Sequence, residues 1–398
     1  MTQDEMVENS EAKVLPLNVK VLGVASLLND VAGEMVYPLM PQFLLTVLGG
    51  NKFHLGIIEG VADSVASLLK LWAGAWSDRV GKRKAFIVWG YSLAALSRPL
   101  AGLAVVPWHL FAVRTADRVG KGIRTAPRDA LIADSTDPKM RGRAFGFHRA
   151  MDHLGAAIGP LLAMGFLLLW PNNLRGLFLL TLVPGLLVGL LLFFRLKEEP
   201  ATTLAANTSL TKGMPFGWNF RLYLVALVIF TLGNSSDSFL LVRAGELGVP
   251  TALLPLLWCV FHVVKTVATL YAGRLVDRLG PRPLIYSGWF LYAVLYLAFA
   301  WATNAWQMWA FFLIYGLFYA LTEPAEKTLV TQLVGPDQTG LAFGWFNFAL
   351  GIAALPSSIL FGWLYQQYGP VVAFSWGAGL SLVAALLLAF VKSNKVSA

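Results

Sequence analysis

GAWSDRVGKRK, Gly74 to Lys84, closes one long apolar stretch and opens the next, and GRLVDRLGPRP, Gly273 to Pro283, stands in the same relation to two later ones. Both strings read Gly, three residues, Asp, Arg, one residue, Gly, one residue, Arg. Two further matches keep this order at nearly the same offset: AFG at Ala144 to Gly146 and Ala342 to Gly344, and Thr-x-Pro at Thr125 to Pro127 and Thr322 to Pro324. Self-similarity at a fixed offset is the mark of a duplicated unit. Between the copies lies the longest polar connection, Arg195 to Arg221, with KEEPATTLAANTSLTKG in its middle. It reads as a linker between two halves of nearly equal length.

The apolar stretches define what each half is. Of the 398 residues, 57% are hydrophobic and only 13% are charged, too few charges to cover a water-exposed surface. Apolar segments fall at 18–46, 54–77, 85–106, 108–133, 144–170 and 174–196, then at 219–246, 250–276, 283–303, 305–333, 340–367 and 371–392. Each has about the 20 residues a bilayer-spanning helix needs. They are rich in Leu, Ala and Gly and lack the alternation of membrane strands, so helices remain as the way to satisfy backbone polar groups in lipid. The expected fold is all-α, with twelve transmembrane helices in two pseudo-symmetric six-helix bundles related by an axis along the membrane normal. The expected division is a tail at 1–17, a first bundle at 18–196, a linker at 197–218, a second bundle at 219–392 and a tail at 393–398. The N-terminal tail has acidic residues and no apolar run, so no cleavable signal peptide is expected. Cys259 is the only cysteine, which leaves no disulfide or multi-thiolate metal site within the chain.

Lys and Arg mark the two sides. The turn after the second segment holds Arg79, Lys82, Arg83 and Lys84, that after the fourth Lys139, Arg141 and Arg143, and that after the eighth Arg278 and Arg282. The alternate turns hold little beyond Lys52 and Arg175. By the positive-inside rule both termini are cytoplasmic, in a multi-pass protein of the plasma membrane or bacterial inner membrane. The same placement accounts for the net charge of +9 without a nucleic-acid partner.

Ionisable residues inside the spans are the sharpest functional signal, because each costs about 2.5 to 3.5 kcal/mol at a helix centre. Asp30 and Glu34 share a face of segment 1, and Glu59, Asp63 and Lys70 share one of segment 2. Segment 4 carries Arg114, Arg118, Lys121 and Arg128 on roughly one face, with Asp117 partly compensating; Arg98, His148, Arg149, Asp152 and His153 complete the set in the first half. The second half has fewer: Asp237, His262, Lys265, Glu323 and Lys327. Candidates for binding a coupling proton are Asp30, Glu34, Asp63 and Asp152. Candidates for binding a small-molecule substrate are Asn29, Glu59, Arg98, Arg114, Arg118 and Arg149, with Asn234, Asp237, His262, Tyr315, Tyr319 and Glu323 from the second half. The excess of Arg and Lys favours an anionic or metal-chelating substrate. The competing reading is that Arg and carboxylate groups merely neutralise each other and fix packing. His148 and His153 are five residues apart, a spacing unsuited to a shared metal. No cofactor or resident metal is expected, and the absence of HExxH, GxSxG and phosphate-loop motifs argues against a membrane enzyme. A sensor would be expected to carry a sizeable soluble domain, and none is visible.

The Gly74 string resembles the signature loop between helices 2 and 3 of the major facilitator superfamily, and the Gly273 string resembles its weaker echo; the resemblance runs over essentially the whole chain. It implies a gating latch at Gly74, Asp78, Arg79, Gly81 and Arg83, with Gly273, Asp277 and Arg278 as counterparts. Arg114 to Gly122 resembles the superfamily's motif of a basic residue followed by glycines, with Asp117 and Arg118 where a neutral residue and Gly are usual. Gly155 to Pro160 resembles the antiporter motif of the twelve-helix drug:proton exporters, with Ala163 and Met164 in place of its closing glycines, and Pro38 to Pro41 resembles another pattern of that group. Gly155, Gly159 and Pro160 are therefore expected as a hinge at the interface of the halves. What the resemblance implies is a secondary transporter, a monomer in the lipid bilayer, working by alternating access and exporting a small organic molecule in exchange for protons. A proton-coupled importer is the runner-up, since direction is not set by fold.

Overall fold

Helices account for almost all of the regular structure, and their ends are written in the turns. The computed structural model describes residues 15–199, 216–334 and 338–392; most of the two expected tails and of the linker lies outside them. Among the described residues there is no strand. The first half comprises α1 (Leu17–Val36), α2 (Lys52–Val80), α3 (Arg83–Leu100), α4 (Pro107–Asp134), α5 (Arg141–Leu169) and α6 (Leu174–Arg195). The second comprises α7 (Trp218–Glu246), α8 (Leu254–Leu279), α9 (Pro281–Trp301), α10 (Ala305–Leu333), α11 (339–368) and α12 (370–389).

The signature glycines are helix stops. Gly81 (φ 65°) ends α2 and Gly280 (φ 78°) ends α8, in the left-handed region where a side chain is strained. Asn51 starts α2: its side chain accepts from the His54 amide at 2.9 Å while His54 Nδ1 accepts from the Asn51 amide at 3.2 Å, a reciprocal cap. Pro38 and Pro41 do not stop the first span at once; after Val36 it continues as a short 3₁₀ turn, Tyr37–Leu39, and ends in a π-turn at Phe43–Val47. The first half of α7 ends at Gly233, and residues 234–237 leave the helix before Ser238–Glu246 resumes.

Among the described residues, seven helical runs are long and apolar enough to cross a membrane, the run Thr339–Ala389 counting as one although Gly369 divides it into α11 and α12. These are the runs from α5 onward. The first four helices fall short by the same criterion because they carry the in-span charges, yet they pack in the same bundle.

Pairing within each half follows the duplication. α1 packs on α5 and α6, α3 on α4 and α6, and α2 on α4; in the second half α8 and α9 pack on α10, while α7 and α9 pack on the last run. The halves meet through α2 against α11 and α5 against α8, positions related by the repeat. At the end opposite the charged loops the contact is dense and polar: Lys52 pairs with Glu246 at 2.7 Å, and Tyr365 donates to Glu246 at 2.7 Å. At the loop end, a Cβ added to Gly142, Gly146 or Gly273 would meet nothing within 4 Å.

Gly155 and Gly159 correct an expectation. Their missing side chains admit α1, not the other half: an added Cβ would lie 2.6 Å from the Leu27 carbonyl oxygen and 2.6 Å from that of Val31. The α5 contact with α8 runs instead through the Ala157 carbonyl, which accepts from Cys259 Sγ at 3.5 Å. The glycines thus weld α5 to α1 inside one bundle.

Candidate functional site

Between the halves lies a cavity of about 480 Å³, running from Tyr37 and Trp258 at mid-bundle to Arg128, Asp129 and Arg149 towards the loop end. Arg149 is 66% exposed there. The lining carries nine Lys or Arg against six Asp or Glu, and Glu59, Asp63 and Glu323, just outside it, pair with three of the nine. The first half supplies most of this charge; the second supplies Asp237, Trp258, Phe261, His262, Lys265 and Tyr319.

The innermost charges form a closed chain. Glu59 takes two bonds from Arg114, at 3.0 and 2.9 Å, with both side chains buried. Arg114 also lies 3.6 Å from Asp117 and 4.9 Å from the centre of the Tyr37 ring. Asp117 in turn accepts from Arg98 at 2.8 Å, and Arg98 donates at 2.7 Å to the backbone carbonyl of Asn29. Bidentate geometry fixes such groups in place, and removing one partner strands the other.

Two groups of contacts cross between the halves at mid-bundle. Trp258 Nε1 donates to Glu34 at 2.7 Å, with the Trp258 ring 5.0 Å from that of Tyr37. Ser238 reaches the Tyr37 hydroxyl at 3.3 Å and Ser236 reaches Glu59 at 3.5 Å. In the second half, Asp237 accepts from Tyr315 at 2.8 Å and from Tyr319 at 2.9 Å. Lys265 sits 4.1 Å above the Tyr319 ring and 3.6 Å from Glu323, which also pairs with Lys327 at 3.3 Å.

Nearer the loop end, Asp152 accepts from Ser26 and has His148 at 3.5 Å and Arg149 at 3.7 Å. Asp30, one turn before Glu34, accepts from the Asn29 side chain at 2.9 Å. The cavity therefore gathers Asn29, Asp30, Glu34, Arg98, Arg114, Arg118, Arg149, Asp152, Asp237, His262 and Tyr319 from the sequence-derived set. Glu59, Asp63, Asn234, Tyr315 and Glu323 stand behind or beside its lining. Asp63 faces Arg118 at 3.9 Å, and Asn234 sits at the break in α7 with its side-chain Oδ1 buried and unbonded.

The signature loop makes contacts within its own half. Asp78 lies 3.2 Å from Arg83, which is buried and 3.0 Å from Asp134. Glu198, just past α6, accepts from the Arg83 amide at 2.7 Å and caps α3. Arg79 is exposed, as are Asp277 and Arg278 in the second copy, while a Cβ added to Gly74 would meet Ala126 of α4 at 3.1 Å.

Arg124, Asp129 and Glu326 escaped the sequence reading. Arg124 is 4% exposed, lines the cavity and lies 4.3 Å from the Tyr91 ring centre; its spacing of three from Lys121 and four from Arg128 was a readable signal. Glu326 accepts from the Trp289 indole at 3.2 Å and is reached only through the tertiary fold.

Comparison with known proteins agrees with this architecture. The family model described as Major Facilitator Superfamily matches residues 22–354 and 222–398. An uncharacterized MFS-type transporter of Methanocaldococcus jannaschii is 32% identical over 98% of this chain and 98% of its own. The multidrug resistance protein MdtH of Proteus mirabilis is 26% identical, with 83% of each chain covered. Among solved structures, a bacterial homologue of the human lysosomal transporter Spinster superposes with a TM-score of 0.71 at 16% identity, over 94% of this chain and 93% of its own. The chain belongs to the Major Facilitator Superfamily, and it is a multi-pass membrane transporter rather than an enzyme.

Proposed function

We propose that this transporter carries a small organic anion, or an anionic chelate, by proton-coupled alternating access, with the loop end and both termini in the cytoplasm. The observation that carries the reading is the cavity wall, where Lys70, Lys121 and Arg124 have no ion-pair partner among the described residues. A buried positive surface is stabilised by a bound anion and disfavours a cation. Asp30, Glu34 and Asp152 lie in the same wall and are the groups proposed to exchange protons. With the far end closed and the cavity reaching the loop end, the binding residues face the cytoplasm in this conformation, one that exporters and importers both pass through. What supports export is the name of relatives called multidrug resistance proteins.

Import is the second reading. It is favoured by the fact that the cavity carboxylates stand among Lys and Arg, as counter-ions an incoming anion would replace. Proteoliposomes test both: with a pH gradient imposed, a panel of organic anions and cations is offered on either side and flux is followed with an internal pH dye. Saturable, proton-linked flux of anions is expected. Proton-linked flux confined to cations would sink the reading.

A further inference from the structure

Six of the nine cavity cations already have a carboxylate. Arg98 and Arg114 hold Asp117 and Glu59, Arg118 faces Asp63 at 3.9 Å, Arg128 holds Asp129 at 2.8 Å, Arg149 faces Asp152 and Lys265 faces Glu323. Three do not: among the described residues no ion pair reaches Lys70, Lys121 or Arg124. All three line the cavity from α2 and α4. Arg124 is the most informative, because its guanidinium is buried, is held against the Tyr91 ring and leaves Nε and Nη1 without an acceptor. A desolvated guanidinium with unused donors is an unfavourable arrangement unless something else supplies the oxygens.

Asp30 lines the same cavity and is the carboxylate on which two of the three, Lys121 and Arg124, act. From its surroundings the charged groups turned towards it are Glu34 on its own helix, Asp152 on α5, and Lys121 and Arg124 on α4; α6 adds none. Arg98 of α3 is engaged one residue away, on the Asn29 carbonyl. Its own bond is to the Asn29 amide, which leaves it free to serve as a resident counter-ion for Lys121 and Arg124.

We infer that Lys70, Lys121 and Arg124 hold an oxyanion of the transported solute, a carboxylate or phosphate group, and that Asp30 must take up a proton when it arrives. The inference rests on the anion reading above and fixes the sign of its coupling. An ionised Asp30 repels the incoming oxyanion and shares its cations; a neutral Asp30 releases them. Solute and proton therefore raise each other's affinity by the same factor. A cationic solute would displace the proton instead. Under an inward proton gradient, this linkage drives uptake, so it favours import over exchange-driven export.

The test uses the purified full chain in weakly buffered detergent, with sodium citrate, sodium benzoate and inorganic phosphate as probes. Calorimetry in two buffers of different ionisation enthalpy reads affinity and protons taken up together. Binding of at least one probe is expected with net proton uptake, and the ranking of the probes separates carboxylate from phosphate. Arg124→Gln and Lys121→Gln should each weaken that probe about tenfold, the loss of one charge-assisted hydrogen bond. Arg124→Lys, which keeps the charge, and the melting temperature of each variant separate lost binding from lost folding. Asp30→Asn should keep the binding and lose the proton uptake. Protons released on binding, wild-type affinity in the folded Arg124→Gln protein, unchanged proton uptake in Asp30→Asn, or no saturable binding of any probe would each overturn the inference. If anions are nonetheless carried in liposomes with protons, the broader reading stands while this subsite falls.

Discussion

At the scale of single residues, the pair Glu59 and Arg114 decides whether the mid-bundle charges are structural or adjustable. Both are buried, 1% and 4% exposed, and joined by two parallel bonds. Removing one member leaves the other charged in a place water does not reach, which costs about 3 to 5 kcal/mol. Glu59→Ala is therefore expected to lower the melting temperature in detergent sharply. Glu59→Gln with Arg114→Met should recover much of that loss, because both charges leave together. A double variant no more stable than the worse single one would show that Asp117 and the Tyr37 ring, not Glu59, hold Arg114. Asp237 offers a contrast, since it is held by two tyrosine hydroxyls. Tyr315→Phe and Tyr319→Phe each remove one bond, worth about 1.5 to 3 kcal/mol for a bond to a charged group. Thermal melting of the two single variants checks this.

At the scale of elements, α2 and α11 are joined by backbone contact. A Cβ on Gly56 would collide with the Ser358 carbonyl oxygen, and one on Gly60 would come within 2.9 Å of the Leu355 carbonyl oxygen. Since backbone cannot move aside as a flexible side chain does, Gly56→Ala should force the two helices apart at the far end, at a cost of about 1 to 3 kcal/mol. Spin labels at Thr46 and Tyr368, with Cys259 replaced, should report a longer and broader distance in that variant. An unchanged distribution would mean that the contact is not what closes this end. These glycines were not legible as a contact in the sequence, because nothing in a Gly-rich helix states which neighbour approaches. The twelve apolar segments and the duplication were legible, since hydropathy length and repeated strings are local. The same limit misplaced Gly155 and Gly159: four-residue spacing announces a close approach but not whether α1 or α8 makes it. The charged face of α4 could be read from periodicity, whereas the cross-half bond from Trp258 to Glu34 joins residues 224 apart and has no local trace.

At the scale of the whole molecule, alternating access requires that the far end be closed firmly enough to hold and loosely enough to release. Packing of α2 on α11 supplies the firm part. The releasable part is the polar network of Lys52, Glu246, Tyr365 and Arg243: Lys52 lies 2.7 Å from Glu246 and 4.5 Å from the Tyr365 ring centre, and Arg243 lies 3.5 Å from Glu246. Lys52 belongs to the first half and Glu246 to the second, so the bond has to break whenever the far end opens. Both are partly exposed, 22% and 32%, which holds the pair to roughly 1 kcal/mol at most. That corresponds to a shift of about fivefold in the ratio of the two conformations, enough to change transport without unfolding either bundle. Lys52→Gln should therefore move the Thr46 to Tyr368 distance distribution towards the far-end-open form by up to about fivefold. Exchanging the charges, Lys52→Glu with Glu246→Lys, should return part of the closed population, less than all because Arg243 and Tyr365 then face a cation. Salt should mimic Lys52→Gln in the native protein and have little effect in the variant. If Lys52→Gln leaves the distribution where it was, packing alone sets the conformational balance, and the far end must then open against backbone contacts such as that of Gly56 with Ser358 without an ionic release.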